Sequence, residues 1–218
     1  MDQAGIFNTA LGRIGSSDTV GAPTDRTVAA QTCLRFYDSC RQEVLRAFPW
    51  PFATSSVALA QVADFTLPGW TYAYDTPDDN LRILHITDYA GLRWWSRRFQ
   101  SGVGGLRYDY AQFAMPRMPW QIALRNDGAR QVVVTDVESA YAFYIHDVTN
   151  TGAFSPDFSS VLAWRLAMEI AGPLKASREF VDGAEQRYAR WAAQAAATAF
   201  NESRDDGMTE SDSITCRY

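Results

Sequence analysis

The chain has 218 residues and a mass of 24.3 kDa, 47% of it apolar and 21% charged, which is enough for one well-filled core or for one core with an inserted module. With 13% aromatic residues, seven of them tryptophan, it lies far from the composition of globally disordered chains. A net charge of −5 and a pI near 5.0 argue against a dedicated duplex-DNA binder, which needs a basic field to displace counterions.

No apolar run is long enough to cross a bilayer, and Met1-Asp2-Gln3-Ala4-Gly5 lacks the basic start of a signal peptide, so the chain reads as soluble and unsecreted. Lys175 is its one lysine, and nearly all positive charge is guanidinium. That suits planar pairing with carboxylates at protein contacts, and equally follows from a GC-rich genome. Cys33, Cys40 and Cys216 are an odd set with no paired short spacing, so a disulfide framework is not expected, and Cys33 and Cys40 read as core thiols.

In chain order, Ile6, Ala10, Leu11 and Ile14 predict a short amphipathic helix from Asp2 to Ile14, broken at Gly15-Ser16-Ser17. Thr24 or Asp25 is expected to cap a longer second helix with Val28, Cys33, Phe36, Tyr37, Cys40, Val44 and Leu45 on one stripe. Phe48-Pro49-Trp50-Pro51 ends it, because proline removes donors and forces extended backbone.

From Phe52 to Asn150 the period shifts toward two. Strands are expected at Ser55–Ala60, Leu81–Thr87, Leu92–Phe99, Arg107–Tyr110, Gln131–Val137 and Ala140–Asp147. Turns are expected at Leu67–Trp70, Asp75–Asn80, Gly102–Gly105 and Asn126–Gly128, giving a small antiparallel β region. The helical period returns with Pro156 near a first helical position and ends or kinks at Gly172-Pro173. An alanine-rich last helix starts near Ser177 and holds Phe180, Tyr188, Trp191, Ala195 and Phe200.

The organisation is an α+β fold: a helical bundle made by the helix pairs in 1–51 and 151–204, an inserted β domain at 52–150, and a C-terminal stretch at 205–218. That last stretch is polar without a period and reads as a flexible tail, yet its Ile214-Thr215-Cys216-Arg217-Tyr218 ending equally suits an arm that orders on a partner.

Catalytic chemistry finds little material. His85 and His146 sit in strand patterns with no nearby Cys or His ligand, and no nucleophile elbow, H-E-x-x-H pair or EF-hand loop occurs. Gly102-Val103-Gly104-Gly105 is not followed by Lys-Ser/Thr, so a phosphate cradle is not expected. Asp75, Asp78 and Asp79 flank Pro77 as turn residues, a better reading than a pair of glycosidase carboxylates. No catalytic residue, metal or cofactor is assigned. Trp94, Trp95, Arg97 and Arg98 and the Tyr108–Tyr110 segment with Phe113 form aromatic, partly basic clusters that can anchor an interface, pack the sheet or stack bases.

The phrase Ala10-Leu11-Gly12-Arg13-Ile14-Gly15, the helix from Cys33 to Arg46 and the exit Phe48-Pro49-Trp50-Pro51-Phe52 together resemble the tail tubular protein A-like head-to-tail adaptors of short-tailed bacteriophages. Pro68-Gly69-Trp70 to Tyr74, Leu81-Arg82-Ile83-Leu84 and the helix around Phe154 to Leu174 extend the resemblance over most of the chain, thinning between about Tyr89 and Pro119. None of these phrases is a catalytic signature; their order carries the match. The resemblance implies a non-enzymatic virion protein of the neck and tail, assembled in the host cytoplasm. It would be one subunit of a twelvefold homo-oligomeric ring between the portal protein and a tail tubular protein B-like nozzle, passing viral DNA without sequence specificity and without contact with a membrane. The β domain would face the nozzle and the terminal arm the portal, with Ile214 and Tyr218 as apolar anchors and Arg217 as a carboxylate partner. The rival readings are a non-catalytic carbohydrate- or peptide-binding β module using the Trp94–Trp95 surface, and an enzyme dependent on His85 or His146.

Overall fold

A computed structural model of the chain describes residues 1–89, 118–125, 130–174 and 176–201. The expected α+β class holds: among these residues are four α-helices and two antiparallel sheets of three strands each.

Helix α1 (Gln3–Arg13) starts where the Asp2 carboxylate accepts the Gly5 N–H at 2.9 Å, and turns out at Gly15, whose φ of 79° is open to glycine without a Cβ penalty. Helix α2 (Val28–Ala47) is capped by Thr27, not by Thr24 or Asp25. Asp25 instead accepts the Gly21 and Ala22 N–H groups, each at 2.9 Å, and closes the preceding loop on itself. The start therefore slips two or three residues later than expected, and Val28 lies outside the buried stripe at 74% exposure. Cys33, Tyr37, Cys40, Val44 and Leu45 are buried as the period requires, joined by Ala29, Ala30 and, unexpectedly, Arg41.

Helix α3 (Pro156–Ala171) follows the Ser155 cap, with Pro156 at its first position. It packs against α1, α2 and α4 (Arg178–Asn201), which is why its sequence is apolar nearly all round. Helices from both ends of the chain thus share one core, from Ile6 and Phe7 to Leu166, Ile170 and Phe180. Helix α4 turns Phe180, Ala184, Ala195 and Ala199 inward and leaves Trp191 39% exposed.

The strands are β1 (Thr54–Ala58), β2 (Tyr72–Asp75), β3 (Asn80–Thr87), β4 (Trp120–Leu124), β5 (Gln131–Thr135) and β6 (Tyr141–His146). The first sheet has the order β1-β6-β3 and the second β2-β5-β4. Expected strands at 55–60, 81–87, 131–137 and 140–147 match β1, β3, β5 and β6 to within two residues, whereas β2 and β4 were not anticipated. Those at 92–99 and 107–110 lie outside the described residues.

Alternation along β6 explains the layering. Ala142 and Tyr144 join Ile83, Ile86, Tyr74 and Val133 between the two sheets, while Ile145 points the other way into the helical core. The far face of the second sheet is covered by the loop after β1, whose Val62 and Phe65 pack on Ala73, Val132 and Val134 with Leu67 and Trp70. The molecule is layered as helices, first sheet, second sheet and covering loop.

Candidate functional site

The histidines do not meet. His85 lies opposite Phe143 and His146 opposite Asn80, so alternation places the two imidazoles on opposite faces of the first sheet. Burial lowers the pKa of His85 and favours its neutral form. Among the described residues no group of three or more His, Cys, Asp or Glu side chains is placed to hold a metal ion.

The acidic turn is occupied with structure. Asp79 Oδ1 accepts from the Tyr144 hydroxyl at 3.2 Å, its carbonyl accepts the Asp147 N–H at 2.8 Å, and Asn80 N–H donates to Pro77 O at 3.1 Å. Asp78 stands 3.9 Å from Arg130 at the surface.

The strongest polar constellation lies where the bundle meets the first sheet. Arg41, 3% exposed in the middle of α2, donates to Asp147 just past β6 and to Val148 O at 2.8 Å. Gln42 Nε2 adds a bond to Asp147 Oδ2 at 3.0 Å. Burial lowers the Arg41 pKa, but the bonds and charges of Asp147 and Asp38 outweigh it and raise it above the ordinary value. Partial burial pushes Asp147 up; bonds from Arg41 and Gln42, with the charges of Arg41 and His146, outweigh that and hold it below the ordinary value.

Both chain segments crossing this junction carry a 3-10 turn, Pro51–Ala53 and Thr151–Ala153. Around them Phe52, Phe154, Phe158 and Trp50 pack edge-on or tilted with centroids 4.7–6.3 Å apart, and Trp50 Nε1 donates to Val44 O at 2.9 Å.

Two further arginines tie helices together. Arg165 of α3 holds Glu43 of α2 at 2.7 Å and Glu169 at 2.6 Å. Arg13 of α1 lies 4.3 Å above the Trp164 ring and donates to Ser160 O at 2.7 Å, and burial lowers its pKa to about 10. Trp164 in turn stacks on Phe180 at 6.4 Å, so the chain α1, α3, α4 is joined through one guanidinium and two rings. Arg13, Arg41 and Arg165 thus make these contacts within the chain itself.

Trp94, Trp95, Arg97, Arg98, Ile214, Arg217 and Tyr218 lie outside the described residues, as do the glycine run at 102–105 and the aromatics at 108–113. What the described part adds, and the sequence reading passed over, is a set of exposed apolar side chains on edge strands: Val57 on β1, and Ile122 and Leu124 on β4. The signal for β4 was present as the alternation Trp120, Ile122, Leu124.

No protein-family model matches the chain, and no curated protein matches its sequence.

Proposed function

We propose that the chain is a structural subunit of a head-to-tail adaptor of a short-tailed bacteriophage, one copy in a twelvefold ring between the portal protein and the tail nozzle. The observation that carries the reading is the element order: two helices, a β module and two helices, with helices from both ends of the chain sharing one core. Two opening helices followed by a β module is the order in which the phrases that carry the resemblance run. The helical bundle forms the ring body, the β module faces the nozzle, and residues 205–218, with Ile214, Arg217 and Tyr218, reach the portal. A net charge of −5 supports a conduit role, since a basic lumen would retain DNA by counterion release.

The test is the solution mass by light scattering of the full chain alone and mixed with the portal encoded by the same genome. A portal-dependent shift to a ring-sized complex is expected, and deleting residues 208–218 should abolish it. A chain indifferent to the portal overturns the reading.

A further inference from the structure

Among the described residues the two sheets of the β module have four edge strands, and they differ in how they are protected. The edge of β2 is covered, because the chain leaving β1 runs beside it: Asp75 N–H donates to Ala60 O at 2.9 Å and Val62 N–H to Ala73 O at 2.8 Å. The edge strand β3 carries two register shifts, between Asn80 and Arg82 and between Ile83 and His85, and bears the charge of Arg82. Bulges and charges are the usual devices that keep another strand from adding to an edge.

Strands β1 and β4 have neither device. Each is five residues long and pairs with its one neighbour in unbroken register. Their sequences, Thr54-Ser55-Ser56-Val57-Ala58 and Trp120-Gln121-Ile122-Ala123-Leu124, contain no charge and no proline. Which backbone groups face outward follows from the ladders. Leu59 N–H donates to Ala140 O, so Ser55 and Val57 face β6, and Thr54, Ser56 and Ala58 turn their N–H and C=O groups away. Arg125 N–H donates to Arg130 O, so Gln121 and Ala123 face β5, and Trp120, Ile122 and Leu124 point outward.

The side chains agree. Ile122 is paired with Val133 and Val57 with Ala142, both in the core between the sheets, yet Ile122 is 41% exposed, Val57 37% and Leu124 60%. These are sandwich-facing residues at edges that no described strand covers. The two edges also lie apart: the chain leaving β1 joins the sheets along the β2 side, and β4 is the far strand of the second sheet.

We propose that these edges are each other's partners in neighbouring copies, β4 of one subunit adding to β1 of the next. The inference rests on the ring reading above and names the joint between its subunits. A second copy is the occupant that satisfies both open edges with a single kind of contact. Such a contact is heterologous, and repeated by rotation it closes into a ring, whereas β4 pairing with β4 would leave β1 open. Two uncharged strands of equal length supply main-chain hydrogen bonds without a desolvated charge.

Proline at an outward-facing position removes one outward N–H and no bond of the existing ladder. The full chain carrying Ser56→Pro or Ile122→Pro, mixed with the portal, should yield at least tenfold less ring-sized complex by light scattering, while Ser56→Ala and Ile122→Val assemble as wild type. Circular dichroism checks that each variant is folded. Ile122→Lys, which adds a charge at a side chain already exposed, provides a second blocked edge should a proline variant unfold. Folded Ile122→Lys or proline variants that form rings at wild-type yield overturn the edge pairing and leave the adaptor reading standing. Wild-type chain that forms no ring with the portal overturns both.

Discussion

Arg41 of α2 and Asp147 just past β6 meet across the junction between the helical bundle and the β module, 106 residues apart in sequence. The guanidinium is buried, and it also binds Val148 O, so this contact fixes the end of the central strand of the first sheet to the longest N-terminal helix. A charge so placed is tolerable only because each of its bonds is answered.

Removing one partner should therefore cost more than removing both. Arg41→Ala is expected to destabilise the fold by about 3 kcal/mol, the low end for a broken buried pair because Asp147 keeps some solvent. Arg41→Met with Asp147→Leu should recover most of that loss. Urea unfolding of the two single variants and the double variant gives the coupling directly.

Acid should act through the same pair. The carboxyl of Asp147 is held below its ordinary value in the folded state, so its contribution is fully present above the unfolded value and is lost as pH falls through the folded one. Wild type should lose stability more steeply than the Arg41→Met, Asp147→Leu variant below about pH 4, the ordinary aspartate value. A pH series of urea midpoints checks it, and parallel curves would rule it out.

The two thiols of α2 should be chemically silent. Burial pushes Cys33 up to about 11; for Cys40 burial and the nearby Glu169 and Glu43 outweigh Arg165 and Ser39, raising it to about 12. In a Cys216→Ser chain at pH 8, no thiol should react with a disulfide reagent in the native state, and both should react in denaturant. Native modification at wild-type unfolded rates would contradict the buried placement.

Trp50 is the largest fully buried side chain of the junction. Trp50→Ala should cost about 3–5 kcal/mol, the range for deleting a buried aromatic ring. Trp50→Phe keeps most of the packing but leaves Val44 O without its 2.9 Å donor, so about 1–2 kcal/mol is expected. Thermal unfolding of both variants separates the packing loss from the hydrogen-bond loss.

Gly15 has open space where a Cβ would stand, so its φ of 79° alone decides a substitution there. Gly15→Ala should cost about 1 kcal/mol and Gly15→Asn less, since asparagine tolerates the left-handed region better. Equal stability of the two variants would refute the conformational argument.

The helices were legible because their apolar residues repeat at three and four positions, and the caps Asp2 and Ser155 lie at ordinary boundaries. The start of α2 was not, because Thr24, Asp25 and Thr27 are all chemically able to cap and only the loop closed by Asp25 decides among them. Arg41 could have been found: a charged residue four positions after Tyr37 on a core stripe signals a buried pair, though not its partner 106 residues on. The strand β2, four residues long between two turn signals, was masked by the turns themselves. Of the residues singled out for partner contact, none lies in the described part, whereas the edges of β1 and β4 are defined by what their sequences lack.

The helix at the middle of the bundle, α3, and the strand at the middle of the first sheet, β6, both belong to the second half of the chain. A ribosome moving at 5–20 residues per second thus spends on the order of ten seconds making α1, α2 and the segments from β1 to β5 before either centrepiece exists. During that interval Phe7 and Tyr37 have each other, but they, Leu45 and Trp50 lack the α3 side chains that complete their core. A copy truncated near residue 150 lacks both centrepieces and should therefore aggregate or be cleared by proteolysis.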